Sequence, residues 1–143
     1  NGIKVLFLQP HLKRTYLTRA MKLDKIFLKS NSRFSHYLTA WANERNYALD
    51  EYSDKNEDSE EGIDGLVIFT ENQEMDKDLS EIRSYFDNQQ KPVHKIDING
   101  TLMAGVSNLE LWVERNRCKK VLLIGAESLL ENPNLERLIS KID

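Results

Sequence analysis

Four short stretches of the chain are dominated by apolar residues and are too brief for helices. Ile3-Lys4-Val5-Leu6-Phe7-Leu8 is stopped by Gln9-Pro10. Ile63-Asp64-Gly65-Leu66-Val67-Ile68-Phe69, Pro92-Val93-His94-Lys95-Ile96-Asp97-Ile98 and Lys120-Val121-Leu122-Leu123-Ile124-Gly125 repeat the pattern. Their length and β-branched or aromatic content predict strands. Strands apolar on both sides belong in a parallel sheet covered on both faces. A fifth strand, Tyr47 to Tyr52, carries Asp50 and Glu51 and is expected at a sheet edge, where charge discourages aggregation.

Between the strands the period changes to that of a helix. Arg33 to Asn46 aligns Phe34, Tyr37, Leu38, Trp41 and Ala42 on one stripe. Lys77 to Gln89 aligns Leu79, Ile82, Tyr85 and Phe86, and Ser107 to Asn116 offers Leu109, Leu111, Trp112 and Val113. Asn132-Pro133 announces a last helix, Asn134 to Ile142, with Leu135, Leu138, Ile139 and Ile142 inside. Such stripes read as core. The segment from Leu12 to Ser30 admits two readings. One helix would carry Leu17, Ala20, Met21, Leu23 and Phe27; alternatively a short helix, Thr15 to Met21, precedes an extra strand over Lys25-Ile26-Phe27-Leu28. The helix is favoured. The expected architecture is a three-layer, flavodoxin-like α/β domain. Its mainly parallel sheet has five strands, or six with the Lys25 run, and helices on both faces. The expected strand order is 2-1-3-4-5 with right-handed crossovers. Residues 1–143 form one such domain, with a fragment of something longer as the alternative, because the chain opens on Asn1-Gly2 rather than Met.

Composition changes this picture little. A chain of 143 residues with 40% hydrophobic and 30% charged residues has the make-up of a globular domain able to bury its own core. No apolar run approaches the ~18 residues of a membrane helix, and no signal peptide is evident. A single cysteine, Cys118, excludes an internal disulfide and fits a reducing compartment, so a cytoplasmic location is expected. Its place beside Arg117, Lys119 and Lys120 suits either a small residue at a helix end or an activated thiolate, the first being favoured.

Charge adds more. The net charge is only −3, yet seven Lys and Arg face a single acid, Asp24, between His11 and His36. Seven acids face only Lys55 between Asp50 and Glu61. The two segments could be solvated faces, an anion site, or surfaces that pair within the molecule or between copies.

In an open parallel sheet, ligands bind beyond the carboxyl ends of the strands. That rule selects Gln9-Pro10-His11, Ser53 to Asp58, Thr70 to Asp78 and Asn99 to Gly105. Gln9, His11 and Asn72 are candidate ligand contacts from the first and third loops. In the fourth, Gly100, Thr101, Gly105 and Ser107 could present amides and hydroxyls to a phosphate, although a turn with Ser107 as N-cap explains them equally. No Cys/His spacing indicates zinc, and the acidic Ser53 to Glu61 stretch lacks the order of a calcium loop, so no metal is expected. A serine or cysteine triad is also missing, and basic-aromatic interleaving is too limited to suggest nucleic acid.

The third loop leads through Glu71-Asn72-Gln73-Glu74-Met75-Asp76-Lys77-Asp78-Leu79-Ser80-Glu81-Ile82 to Lys91-Pro92-Val93. This order resembles the nucleoside 2-deoxyribosyltransferase family and the related TIR-like group. A second echo of that group runs from Lys25-Ile26-Phe27-Leu28 through Ser30-Asn31-Ser32 and the next helix to Tyr47-Ala48-Leu49-Asp50. The resemblance implies a TIR-like form of the same three-layer fold, and a glutamate near a nucleoside or NAD glycosidic bond, matched here by Glu81 with Asp76 and Asp78 nearby. Such a carboxylate can stabilise or attack an oxocarbenium-like centre. The same acids also suit a first helical turn, with Asp78 as N-cap and Glu81 at its box position. Two functions are therefore carried forward. The favoured one is a non-catalytic interaction module that binds a protein partner or itself through charged faces. The alternative is a nucleotide- or nucleoside-binding domain able to cleave an N-glycosidic bond, with NAD or a nucleotide as ligand and no resident cofactor.

Overall fold

The computed structural model describes residues 21–53 and 62–143. Among these residues, five strands form a single all-parallel sheet: β1 (Lys25–Lys29), β2 (Leu49–Tyr52), β3 (Gly65–Thr70), β4 (Val93–Asp97) and β5 (Lys120–Gly125), in the order β2-β1-β5-β3-β4. Helices α1 (Arg33–Glu44), α2 (Lys77–Asn88), α3 (Leu102–Arg115) and α4 (Asn134–Ile139) cover it, with a 3₁₀ turn over Glu127–Glu131. This is the three-layer parallel α/β class. None of these helices is long and apolar enough to cross a membrane.

The alternation of side chains along the strands divides the core in two. Ile26, Leu28, Val67, Phe69, Val121 and Leu123 face one side and meet Phe34, Leu38 and Trp41 of α1, Val106, Leu109 and Val113 of α3, and Leu135, Leu138 and Ile139 of α4. Phe27, Leu66, Ile68, Leu122 and Ile124 face the other and meet Leu79, Ile82 and Phe86 of α2. A constant crossover hand explains the split. The β1-to-β2 and β4-to-β5 connections travel the same way along the sheet, so α1 and α3 share a face. The β3-to-β4 connection travels the opposite way and puts α2 behind.

Four expectations are corrected. Lys25 to Lys29 is a strand, not part of a helix: Ile26, Phe27 and Leu28 are all buried because β1 is covered on both faces, whereas a surface helix would leave one side wet. The last strand, β5, lies inside the sheet between β1 and β3 rather than at its end. Its core VLLI run, buried throughout, fits that central place. Third, α3 begins at Leu102 with Thr101 as N-cap, so Gly105 and Ser107 are helical. Gly105 made this turn read as a loop, because glycine disfavours helix interiors. Tyr85, expected in the core, is 39% exposed. The expected strand Ile3 to Leu8 and most of the acidic Ser53 to Gly62 loop lie outside the described residues.

Candidate functional site

The sheet order places a reversal point at β5. From β1 the chain moves outward to β2, and from β3 it moves outward to β4 on the opposite side. The loops leaving β1 and β3 therefore diverge, and a crevice opens over the carboxyl end of β5. It encloses about 450 Å³. Lys29 of β1, Asn31 and Ser32 of the loop after it and Ser35 of α1 line one wall; α2 contributes Asp78 and Leu79 behind its cap Asp76; the end of β5 contributes Ile124 and Gly125, and the segment after it Ala126 to Ser128. A second hollow of about 440 Å³ shares Asp76, Ala126 and Ser128 with it and is floored by Phe69, Thr70, Met75 and Leu129. Glu71 and Glu74 stand at its rim.

Local sequence explains these walls. Asn31 leaves β1 with φ 57°, a left-handed conformation that asparagine tolerates, and turns the chain sharply into α1. Ser32 caps α1 by accepting from the Ser35 amide at 3.2 Å. Gly125 lets α1 sit close over β5, since a Cβ there would stand 2.7 Å from the Phe34 ring. Asp76, not Asp78, caps α2 by accepting from the Leu79 amide at 2.9 Å. Asp78 is thereby left in the first turn of α2, lining the crevice.

Two hydroxyls single the crevice out. Ser35 is 5% and Thr70 1% exposed, and neither Ser35 Oγ nor Thr70 Oγ1 has a hydrogen-bond partner. A buried polar atom left in this state costs about 1–3 kcal/mol. Each lines one of the two hollows. Around them the charge is mainly negative, from Asp76, Asp78 and Glu127, against Lys29. The Glu127 carboxylate reaches across to α1, where its Oε1 accepts from the Arg33 amide at 3.0 Å.

Beside the crevice, the β3 and β4 loops are tied together by side chains. Asn72 and Gln73 both have positive φ, 57° and 67°, forming a tight turn closed by a bridge between Glu71 and Glu74. Their successive amides form a concave donor pair. The Asp97 carboxylate fills it, accepting from Asn72 N at 3.1 Å, Gln73 N at 2.8 Å and Asn99 N at 2.8 Å. Asn99 then receives Asn132 Nδ2 at 2.9 Å and Asn134 Nδ2 at 2.8 Å. Asn132 also donates to Glu71.

The candidate residues thus separate. Asp78 lines the crevice, whereas Glu81 is exposed one turn further along α2 and does not line it. Asn72 belongs to the Asp97-filled turn. Gly100 and Thr101 lead into α3, with the Gly100 amide donating to Asp97 O at 3.1 Å, and Ser107 is exposed in the helix. Gln9 and His11 lie outside the described residues. No group of three His, Cys, Asp or Glu able to hold a metal occurs among the described residues. Cys118 is buried, and burial, followed by the Asp64 charge, pushes its thiol up to about 11, the reverse of activation. Sequence reasoning missed Ser35 and Glu127. Ser35 had a signal, since it lies in register with Leu38 and Ala42 on the buried face of α1. Glu127 had none, because its partner is 94 residues away.

No family model matches the chain, and no curated protein does. Among solved structures, a chain from Syntrophus aciditrophicus SB described as "Putative molybdenum carrier protein" is similar, with a TM-score of 0.62 and 11% identity. The match covers 85% of this chain and 92% of that one. At that identity the likeness concerns the fold.

Proposed function

We propose that this chain is a small-molecule-binding domain whose crevice over β5 takes an uncharged, hydroxyl-rich ligand of nucleoside type. The observation that carries this reading is the pair of buried, unpartnered hydroxyls, Ser35 and Thr70, in adjoining hollows at the reversal point of the sheet. A ligand with donors and acceptors relieves both. Carboxylates suit the hydroxyls of a sugar, as acidic residues do in dinucleotide-binding α/β domains. The Met75 and Leu129 side of the second hollow suits an apolar or planar group. Any chemistry at a glycosidic bond would fall to Asp78, which lines the crevice, rather than Glu81. A thermal-shift series with adenosine, uridine, ribose, NAD and ATP tests the reading. Nucleosides should raise the melting temperature by mass action, and Ser35→Val, which fills the crevice, should remove the rise. A flat response to every uncharged compound at millimolar concentration would sink it.

The interaction reading keeps one support. Asp50 and Glu51 are exposed on β2, and Asp50 pairs with Lys25 of β1 at 3.4 Å. Among the described residues, this pair is where the acidic and basic segments meet. Association between copies through the same charges should weaken with salt in sedimentation.

A further inference from the structure

A helix N-terminus opening into a cavity is ordinarily a place for an anion, because free amides and the helix dipole favour negative charge. The start of α1, a helix of 12 residues, opens into the β5 crevice. Here that place is taken by the protein itself. Glu127 Oε1 accepts from the Arg33 amide at 3.0 Å, and the Ser35 amide is satisfied by Ser32 Oγ at 3.2 Å. Ser35, a residue only 5% exposed, lines the same cavity, and its hydroxyl has no partner, which marks a ligand position beside the filled one. Asp76 and Asp78 line the wall contributed by α2, with Lys29 as the basic lining residue.

We propose that Glu127 is a specificity-determining residue: its carboxylate occupies the oxyanion position of the crevice and so excludes phosphate-bearing and other oxyanionic ligands. A phosphate, sulfate or molybdate entering here would have to displace Glu127 from the Arg33 amide and then face Asp76 and Asp78. A neutral hydroxyl meets neither obstacle. Like-charge juxtaposition of this kind is a standard device for rejecting the wrong partner. The inference deepens the nucleoside-type reading by removing the phosphates from the ligand, yet its test does not depend on that reading.

The probes are inorganic phosphate, sulfate and molybdate, titrated into the full chain at constant ionic strength and read by calorimetry and thermal shift. The wild type should show no saturable response to any of them. Glu127→Ala should gain saturable phosphate binding, at least about tenfold tighter than any wild-type response. Glu127→Gln drops the charge but keeps an acceptor for the Arg33 amide, so its gain should be smaller. If Glu127→Ala does not fold, Glu127→Ser takes its place. Saturable wild-type binding of phosphate or molybdate that Glu127→Ala leaves unchanged would overturn the proposal. So would a folded Ala or Ser variant with no gain. Failure of the nucleoside series alone would leave this result standing, and the reverse also holds.

Discussion

The two ends of the sheet are built to different ends. At the amino ends of the strands, polar groups have partners and glycine serves close packing. The Asp64 carboxylate accepts from the Lys119 amide at 2.7 Å and the Lys120 amide at 3.0 Å. A Cβ on Gly65 would stand 2.8 Å from Trp112 and 3.0 Å from Cys118 Sγ, and Trp112 in turn stacks on His94 at 5.4 Å. A hollow of about 530 Å³ does open beside Cys118, but no buried unpartnered side-chain oxygen lines it. At the carboxyl ends lie both such oxygens among the described residues, Ser35 Oγ and Thr70 Oγ1. There too a carboxylate fills a helix N-terminus. One end gains stability from its contacts; the other keeps two buried hydroxyls without a protein partner. That asymmetry is what a site on a rigid scaffold looks like.

Substitutions should expose the contrast, beginning at the closed end. Gly65→Val forces a branched side chain against Trp112 and Cys118 and should cost about 3 kcal/mol, read as a lower urea midpoint. A loss below about 0.5 kcal/mol would show that this end is looser than its contacts imply. Asp64→Ala removes the acceptor of two amides and should cost about 1.5 kcal/mol.

At the open end the sign should reverse. Ser35→Ala deletes a hydroxyl with no partner, so it should stabilise the free protein by about 1 kcal/mol while weakening ligand binding. A destabilised Ser35→Ala variant would mean the hydroxyl is satisfied in solution, and the comparison between the ends would lose its main support.

Titration gives the smallest effects. Burial lowers the pKa of His94 below its ordinary 6.5. The unfolded chain therefore takes up this proton first, so the stability linked to neutral His94 is full above 6.5 and is lost as pH falls through the folded value. His94→Phe should flatten that acid limb in denaturation curves. Cys118 has the opposite sign: raised from 9.0 to about 11, it contributes stability below pH 9 that is lost as pH rises towards 11. At pH 8 its thiol should resist a disulfide reagent until the protein is unfolded.

Most of the scaffold was legible because burial on two faces leaves a mark in a short window. Leu66 to Phe69 and Val121 to Ile124 read as strands from composition alone, and the α1 and α2 stripes foretold Phe34, Leu38, Ile82 and Phe86 in the core. The β1 segment was misread because Phe27 continues a helix stripe through Leu17, Ala20, Met21 and Leu23, while a short apolar run such as Ile26 to Leu28 fits a strand equally. In α3, Gly105 imitated a loop. The site was less legible. Glu81 was weighted above Asp78 on the resemblance, yet Asp78 is the one that lines the crevice, and which of two nearby acids does so depends on which face of the helix packs.

The sequence by itself determined a parallel sheet between helical layers, since alternation and period are local and the hydrophobic effect acts on them directly. Only the tertiary structure decided that β5 enters the middle of the sheet, for insertion of a strand between two others is a long-range choice that no window records. The crevice follows from that insertion. So does the contact between Glu127 and the Arg33 amide, because it joins the end of the last strand to the start of the first described helix. Local patterning specified what is buried, while topology specified which polar groups were left to face one another.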